Sequence, residues 1–350
     1  MTSLEENNKA SITDDSESHT PKRSQVPLQR YLEQDHPNTL EILSFSESKT
    51  ASCYLDTTAV RVSDAIYGAS GVSDVNFLSL EYLLNFKKSS IDLGPMYGAS
   101  TYASFSARAA LSLVDKKEKH LNNQCQVLAL PPPQKIEKSF DSLIRERRSH
   151  SEMSGEPLTL GQLSTLLFYG DGVTGDKTFI DPVQDESWPS MSLGEPDPYY
   201  VRSAPSGGAL YPIDLYLLVS NVDQLENGLY RYRPNSHSLI NVRPLSDDDW
   251  DAHKKDAATW GDNIHAEKFN ITIFYVYSLF KNSRKYGDLG LAFGFIEIGM
   301  IAQNIHLAAQ ALGLASNCIG GGSKVMRERF LNIDGQSQHC LHQMIIGQPG

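Results

Sequence analysis

Three short stretches of this 350-residue sequence combine residue types that could hold a flat, anionic small molecule. The first is "PSGGALYP", Pro205 to Pro212, set directly before the apolar run "IDLYLLV". Gly207 and Gly208 carry no Cβ, so backbone N–H groups there can come close to a ring or an anion, and Ser206 adds a hydroxyl that both donates and accepts. The second is "RERRS", which places Arg145, Arg147 and Arg148 together in an otherwise acidic chain. Guanidinium forks match phosphate oxygens two at a time and keep their charge at every relevant pH. The third is "CIGGGSK", where Gly320 and Gly321 offer a second close backbone approach and Lys324 adds a cation. Each has a plain reading when taken alone: a glycine turn feeding a strand, a solvated helix end, a loop. Three such stretches together favour a planar phosphorylated cofactor over three coincidences.

Holding these stretches in place requires ordered elements around them. Phe140, Leu143 and Ile144 recur at helical spacing and predict a helix with one apolar face that ends at Arg147 and Arg148. Thr159 followed by Gln162 predicts a capping box, with Leu160, Leu163, Leu166 and Leu167 on one side of the helix and Gly170 as its terminator. A loop of about thirty residues follows, a length that usually means function or mobility. "IDLYLLV" and "FNITIFYVY" read as core strands, and "NGLYRYRPNSHSLINV" as two strands about a turn at Pro234-Asn235-Ser236. A long helix over about 292–312 and a last strand at "LHQMIIG" complete an α+β set.

Composition narrows the function classes. The formal net charge of -11 argues against a general nucleic-acid binder. The four cysteines, Cys53, Cys125, Cys318 and Cys340, are scattered without Cys-x-x-Cys spacing, which disfavours a zinc site and a disulfide framework and fits reduced cytoplasmic thiols. No signal-peptide core is visible near Met1. The apolar segment 289–315 is interrupted by Glu297, Gln303, Asn304, His306 and Gln310, each costly in hydrocarbon, so it reads as a helix buried in protein. Residues 1–35 are too polar to offset their ordering entropy and predict a disordered arm. Residues 36–135 predict an accessory region ending at the stiff run Pro131 to Pro133, and 136–350 the main domain.

The order of "RRS", "PLTLGQLSTLL", "PSGGALYPIDLYLLV", "GLYRYRP", the long helix and "IGGG" resembles the FMN-dependent nitroreductase superfamily. Within it, the chain most resembles the SagB-type or microcin-type azoline dehydrogenases, over about 137–350. The resemblance implies a mixed sheet flanked by helices and a homodimer with FMN at the interface. It implies FMN contacts from Arg147, Arg148, Ser149, Pro205, Ser206, Gly207, Gly208, Gln303, Gly320, Gly321 and Lys324, and no metal. Asn304 stands beside Gln303 where the dimer helix passes the flavin. It also implies that Lys285 and Tyr286 act on the substrate proton, because hydride loss from one ring carbon to flavin requires a base at the neighbouring carbon. A desolvated lysine can serve as that base and a tyrosine can relay or orient.

The sequence departs from the family pattern at three places. Ser151 stands where a second arginine is usual, Ala292 where an arginine is frequent, and Met300 where histidine is frequent. Arg148, Lys324 and Arg202 are then the candidates to replace the missing phosphate partner. The expected activity is oxidation of thiazolines or oxazolines to thiazoles or oxazoles in a ribosomally made peptide, beside cyclodehydratase subunits and without nucleic acid or membrane, with oxygen reoxidising the flavin. Two alternatives are an NAD(P)H-dependent nitroreductase or quinone reductase, and a catalytically silent scaffold subunit of a synthetase complex.

Overall fold

A strand buried on both faces organises the molecule. The computed structural model describes residues 127–177, 199–260 and 264–350; the expected arm, nearly all of the accessory region and the middle of the long loop lie outside them. All described residues fall in one unit of the chain. In chain order they form β1 (Val127–Ala129), α1 (Phe140–Glu146), α2 (Leu160–Asp171), β2 (Val173–Lys177), β3 (Tyr199–Arg202), β4 (Ile213–Val219), β5 (Gly228–Arg233), β6 (Ser238–Arg243) and α3 (Asp247–Ala257). Then come β7 (Ile271–Ser278), α4 (Leu279–Tyr286), α5 (Leu289–Leu312), β8 (Ala315–Ile319), α6 (Lys324–Phe330) and β9 (Gln338–Gly347).

Seven strands make one sheet in the order β1-β6-β5-β4-β7-β9-β8, and β2 pairs with β3 apart from it. Every residue of β7 is buried. Side chains alternate across a strand, so Ile271, Ile273, Tyr275 and Tyr277 join the core shared with α2 and α5, while Phe274 and Val276 pack on the other face with Leu218 and Leu331. The hairpin of β5 and β6 turns at Pro234–Ser236 as expected and closes at His237 in the left-handed region. The α+β class holds. The expected mixed sheet is corrected: each strand pairing within the seven-stranded sheet is antiparallel, and a parallel bridge joins Leu158 and Val222 outside the strands. β7 and β8 do run the same way, joined through α4 and α5, but β9 lies between them. The sheet also takes in β1, ahead of the expected boundary at 136.

α2 starts as expected: Thr159 accepts from the Gln162 amide and the Gln162 side chain reaches back to the Thr159 N–H. Leu163, Leu166 and Leu167 have no exposed surface, each contributing about 1.5–3 kcal/mol by burial. Gly170 is not the terminator. It lies inside the helix where α2 crosses α5, and a Cβ there would sit 2.6 Å from Ile305 Cγ1; the helix ends at Gly172. In α1 only Leu143 is buried, and Phe140 and Ile144, expected on its apolar face, are exposed. Among the described residues, α5 alone is long and apolar enough to cross a membrane, yet Ile298, Ile301, Ile305 and Ala309 pack it into the protein core.

Candidate functional site

α5 separates two groups of polar residues. On one side, Arg147 caps the C-terminus of α1, its N–H bonded to the Leu143 carbonyl at 2.9 Å. Its side chain lines a cleft of about 540 Å³ with Phe295, Ile298, Gly299, Ala302, Gln303 and His306 of α5, Cys318 of β8, and Leu341 and His342 of β9. The guanidinium donates to Ser149 Oγ at 3.4 Å. His306 Nδ1 lies 2.7 Å from Ser316 Oγ and its Nε2 3.4 Å from Cys318 Sγ. Burial, with Arg147 nearby, holds His306 down to about 4; burial also lowers His342 and raises the Cys318 thiol. These side chains are therefore uncharged at neutral pH, which leaves Arg147 as the charged group among those lining the cleft.

The other expected cations are engaged elsewhere. Arg148 folds back on the end of α1 and donates to the carbonyls of Arg145 and Arg147, both at 2.8 Å, as a cation at a helix C-terminus does. Lys324 opens α6, where it pairs with Glu328 and lies 3.2 Å from His339 Nδ1. Arg202, partly buried, pairs with the buried Asp171 at 2.8 Å. Gly320 follows β8, and a Cβ there would meet nothing within 4 Å. Gly321 is closer packed, 3.4 Å from Trp260 Cα, and its carbonyl accepts from Gln343. Of the helix pair, Gln303 lines the cleft and Asn304 donates to the Ser203 carbonyl at 3.4 Å.

On the other side of α5 the Pro205–Gly208 loop meets the Lys285–Tyr286 pair. Gly208, Ala209 and Tyr211 all have positive φ, 62°, 49° and 47°. For the two non-glycine residues this costs about 1–2 kcal/mol each, so the surroundings must hold the turn. Ser206 Oγ accepts the Tyr211 N–H at 3.0 Å. Phe293 lies 3.3 Å from where a Gly207 Cβ would be. α4 ends at Gly287 and delivers its last two residues onto the same turn: a Cβ on Gly208 would stand 2.7 Å from both Lys285 Nζ and Tyr286 OH. Tyr286 is fixed edge-on to Phe293 at 4.9 Å, and Lys285 Nζ lies 5.2 Å from the Tyr286 ring centre.

Beneath this turn lies a buried polar network that the sequence reading did not single out. Arg202 joins Asp171 and stacks over Tyr211 at 4.3 Å. Asp214 is held by Lys281 at 3.2 Å and Arg231 at 3.3 Å, and takes a hydrogen bond from Ser278. Burial pushes Asp171 up to about 6 despite Arg202, and Glu297 up to about 7. Burial works the same way on Asp214, but Lys281 and Arg231 outweigh it and hold the carboxyl well below the usual range. The signal was available in part, since Glu297 interrupts an apolar run; the partners come from distant segments.

Residues 144–348 match the model of the Nitroreductase family. A protein of Methanocaldococcus jannaschii named as a nitroreductase, MJ1384, is 29% identical over 193 residues, 55% of this chain and 83% of the relative. The microcin B17-processing protein McbC of Escherichia coli is 29% identical over 148 residues, 41% of this chain and 53% of McbC, so the chain spans about half the length of that relative. Among solved structures, a nitroreductase of Ralstonia eutropha JMP134 superposes with a TM-score of 0.48 at 22% identity, over 64% of this chain and 90% of the other. The E. coli microcin synthetase McbBCD complex with truncated pro-MccB17 bound gives 0.48 at 18% identity, over 89% and 97%. With more than half of its length matched by the family model, the chain belongs to the nitroreductase family.

Proposed function

We propose that this protein is an FMN-dependent dehydrogenase that oxidises thiazoline or oxazoline rings of a ribosomally made peptide to thiazoles or oxazoles. The observation that carries the reading is the meeting of Lys285 Nζ and Tyr286 OH over Gly208. The likeness to McbC, named for processing microcin B17, supports it. The cleft fits the cofactor chemically: Arg147 offers a phosphate-matching fork, Gln303 an amide for ring edges, and Phe295, Ile298 and Leu341 apolar walls. Its volume lies within the range of small-molecule sites, about 300–1,000 Å³. Ser149 adds a hydroxyl beside Arg147.

Bound FMN would supply the hydride acceptor. The residues of this chain supply the rest. Lys285 takes the proton from the ring carbon next to the one that loses hydride, and Tyr286 orients or relays it. The Ser206–Gly208 turn keeps both groups at one place on the substrate. The reading includes a homodimer, supported by the exposed apolar residues Phe140 and Ile144 on α1 and Phe295 and Ile296 on α5. It also includes cyclodehydratase subunits that supply the azoline peptide.

The match to MJ1384 over 83% of that protein favours a second reading, reduction of a small acceptor with NAD(P)H. Two measurements on the yellow protein separate the readings. Loss of two hydrogens per ring from an azoline peptide, seen by mass, supports the first. Rapid bleaching by NADPH with an unchanged peptide supports the second.

A further inference from the structure

α4 is eight residues long and carries Lys285 and Tyr286 on its last turn. A helix this short is not stable by itself, so packing must set how it is turned about its own axis. Asn282, one turn earlier, is buried with 2% exposure and joins α4 to both neighbouring elements. Its Oδ1 accepts the Tyr277 hydroxyl of β7 at 2.7 Å, and its Nδ2 donates to the Gly290 carbonyl in the first turn of α5 at 2.7 Å. The Gly290 carbonyl can only accept, so the amide nitrogen must face it and the oxygen is left for the Tyr277 O–H. α5 is shaped for the contact: a Cβ on Gly290 would stand 2.8 Å from Asn282 Oδ1, and one on Gly294 2.9 Å from the ring of the buried Tyr277.

Residues three and four apart share one face of a helix, so Lys285 and Tyr286 stand on the face that Asn282 fixes. The next part of α5 supplies Phe293, which meets the Tyr286 ring and the Gly207 position together. Lys281, on the same short helix, is tied separately to Asp214. We propose that Asn282, held by Tyr277, is a positioning residue: it sets the rotation of α4 against α5 and thereby keeps Lys285 and Tyr286 over Gly208. Without the amide, nothing as close joins this face of α4 to the start of α5, and the two side chains leave the turn. The inference rests on the roles of Lys285 and Tyr286 given under Proposed function.

Two variants loosen the clamp by different amounts. Tyr277→Phe removes one hydroxyl and keeps the ring against Gly294, and Asn282→Ala removes both hydrogen bonds. In the flavin-free full chain at one fixed pH, the rates at which acetic anhydride acylates Lys285 and Lys281, read by peptide mass, report how tightly each amine is held. The Lys285 rate rises about fivefold in Tyr277→Phe and about tenfold in Asn282→Ala, the effects of one and two lost hydrogen bonds, while Lys281 stays within about twofold of the parent. In ring oxidation at equal flavin content, Asn282→Ala lowers kcat about tenfold with KM within about twofold. The double variant is no slower than Asn282→Ala, because Tyr277 acts through Asn282. An unchanged Lys285 acylation rate overturns the proposal, and so does an equal acceleration of Lys281, which marks loss of the whole helix. Tyr277→Phe, the milder change, decides alone if Asn282→Ala does not fold. A parent protein that leaves azoline peptides unoxidised overturns the substrate reading instead, and the acylation rates still decide the role of Asn282.

Discussion

The two sides of α5 use polar residues in opposite ways. The cleft side is open and nearly uncharged apart from Arg147, with His306 and His342 held neutral by burial and walls that are mostly apolar. The turn side is closed: Gly207 and Gly208 are met by the chain's own Phe293, Tyr286 and Lys285, and acids and bases are paired beneath them. One side has room and a single attraction, suited to holding a ligand. The other has strain and fixed distances, suited to acting on one. The difference also shows why glycine runs that look alike in sequence diverge in structure. At Gly208 the space a Cβ would fill belongs to Lys285 and Tyr286, whereas at Gly320 it is empty.

If the turn side carries the chemistry, its loss should be the most damaging. Lys285→Ala is expected to lower ring oxidation by about 10²–10⁴-fold while the protein stays yellow, measured by peptide mass and the visible spectrum. Gly208→Ala should follow, at about 10²-fold in kcat/KM, because the new methyl displaces the ends of Lys285 and Tyr286, and an alanine at φ 62° adds about 1–2 kcal/mol of backbone strain. On the cleft side the expected loss is of binding: Arg147→Ala weakens FMN affinity by about 10–100-fold, read by fluorescence titration, since one charge-assisted contact is removed. Equal effects of Arg147→Ala and Lys285→Ala on affinity would erase the division between the two sides.

The smallest effect concerns stability. Unfolded, His306 takes a proton near the ordinary value of 6.5; folded, it resists until about 4. The unfolded chain therefore binds more protons across that window, and stability falls as pH drops from about 6.5 to 4. In the cofactor-free protein, His306→Asn should flatten that part of the Tm-against-pH curve by a few degrees, about the effect of 1 kcal/mol in a chain of this size. An unchanged slope would mean that His306 does not carry the neutral lining of the cleft.

Elements whose pattern is continuous along the chain could be read from sequence. The Thr159–Gln162 box, the buried runs of β4 and β7 and the hairpin at Pro234–Ser236 all depend on neighbours a few residues apart. α3 went unread despite a second capping box at Ser246 and Asp249, because an acidic helix of that kind has almost no apolar period. β8 and α6 were hidden in a segment read for its glycines, and β2 with β3 in one read as loop. Within the site, Arg147 with Gln303 and the turn with Lys285 and Tyr286 did come together. Lys324 and Arg148 did not join them, because nearer partners exist: Glu328 one helical turn away, and the carbonyls at the end of α1. Glu297, His306 and Cys318 depend on packing between α5, the turn and β8, which no local spacing encodes.

The central claim is that this chain removes hydrogen from azoline rings with Lys285 as the base. The most direct test incubates the flavin-loaded protein and its Lys285→Ala variant with an azoline-containing peptide and compares product masses. The account predicts a loss of two hydrogens per ring with the parent and an unchanged mass with the variant at equal flavin content. An unchanged mass with the fully yellow parent, or equal oxidation by both proteins, would contradict it.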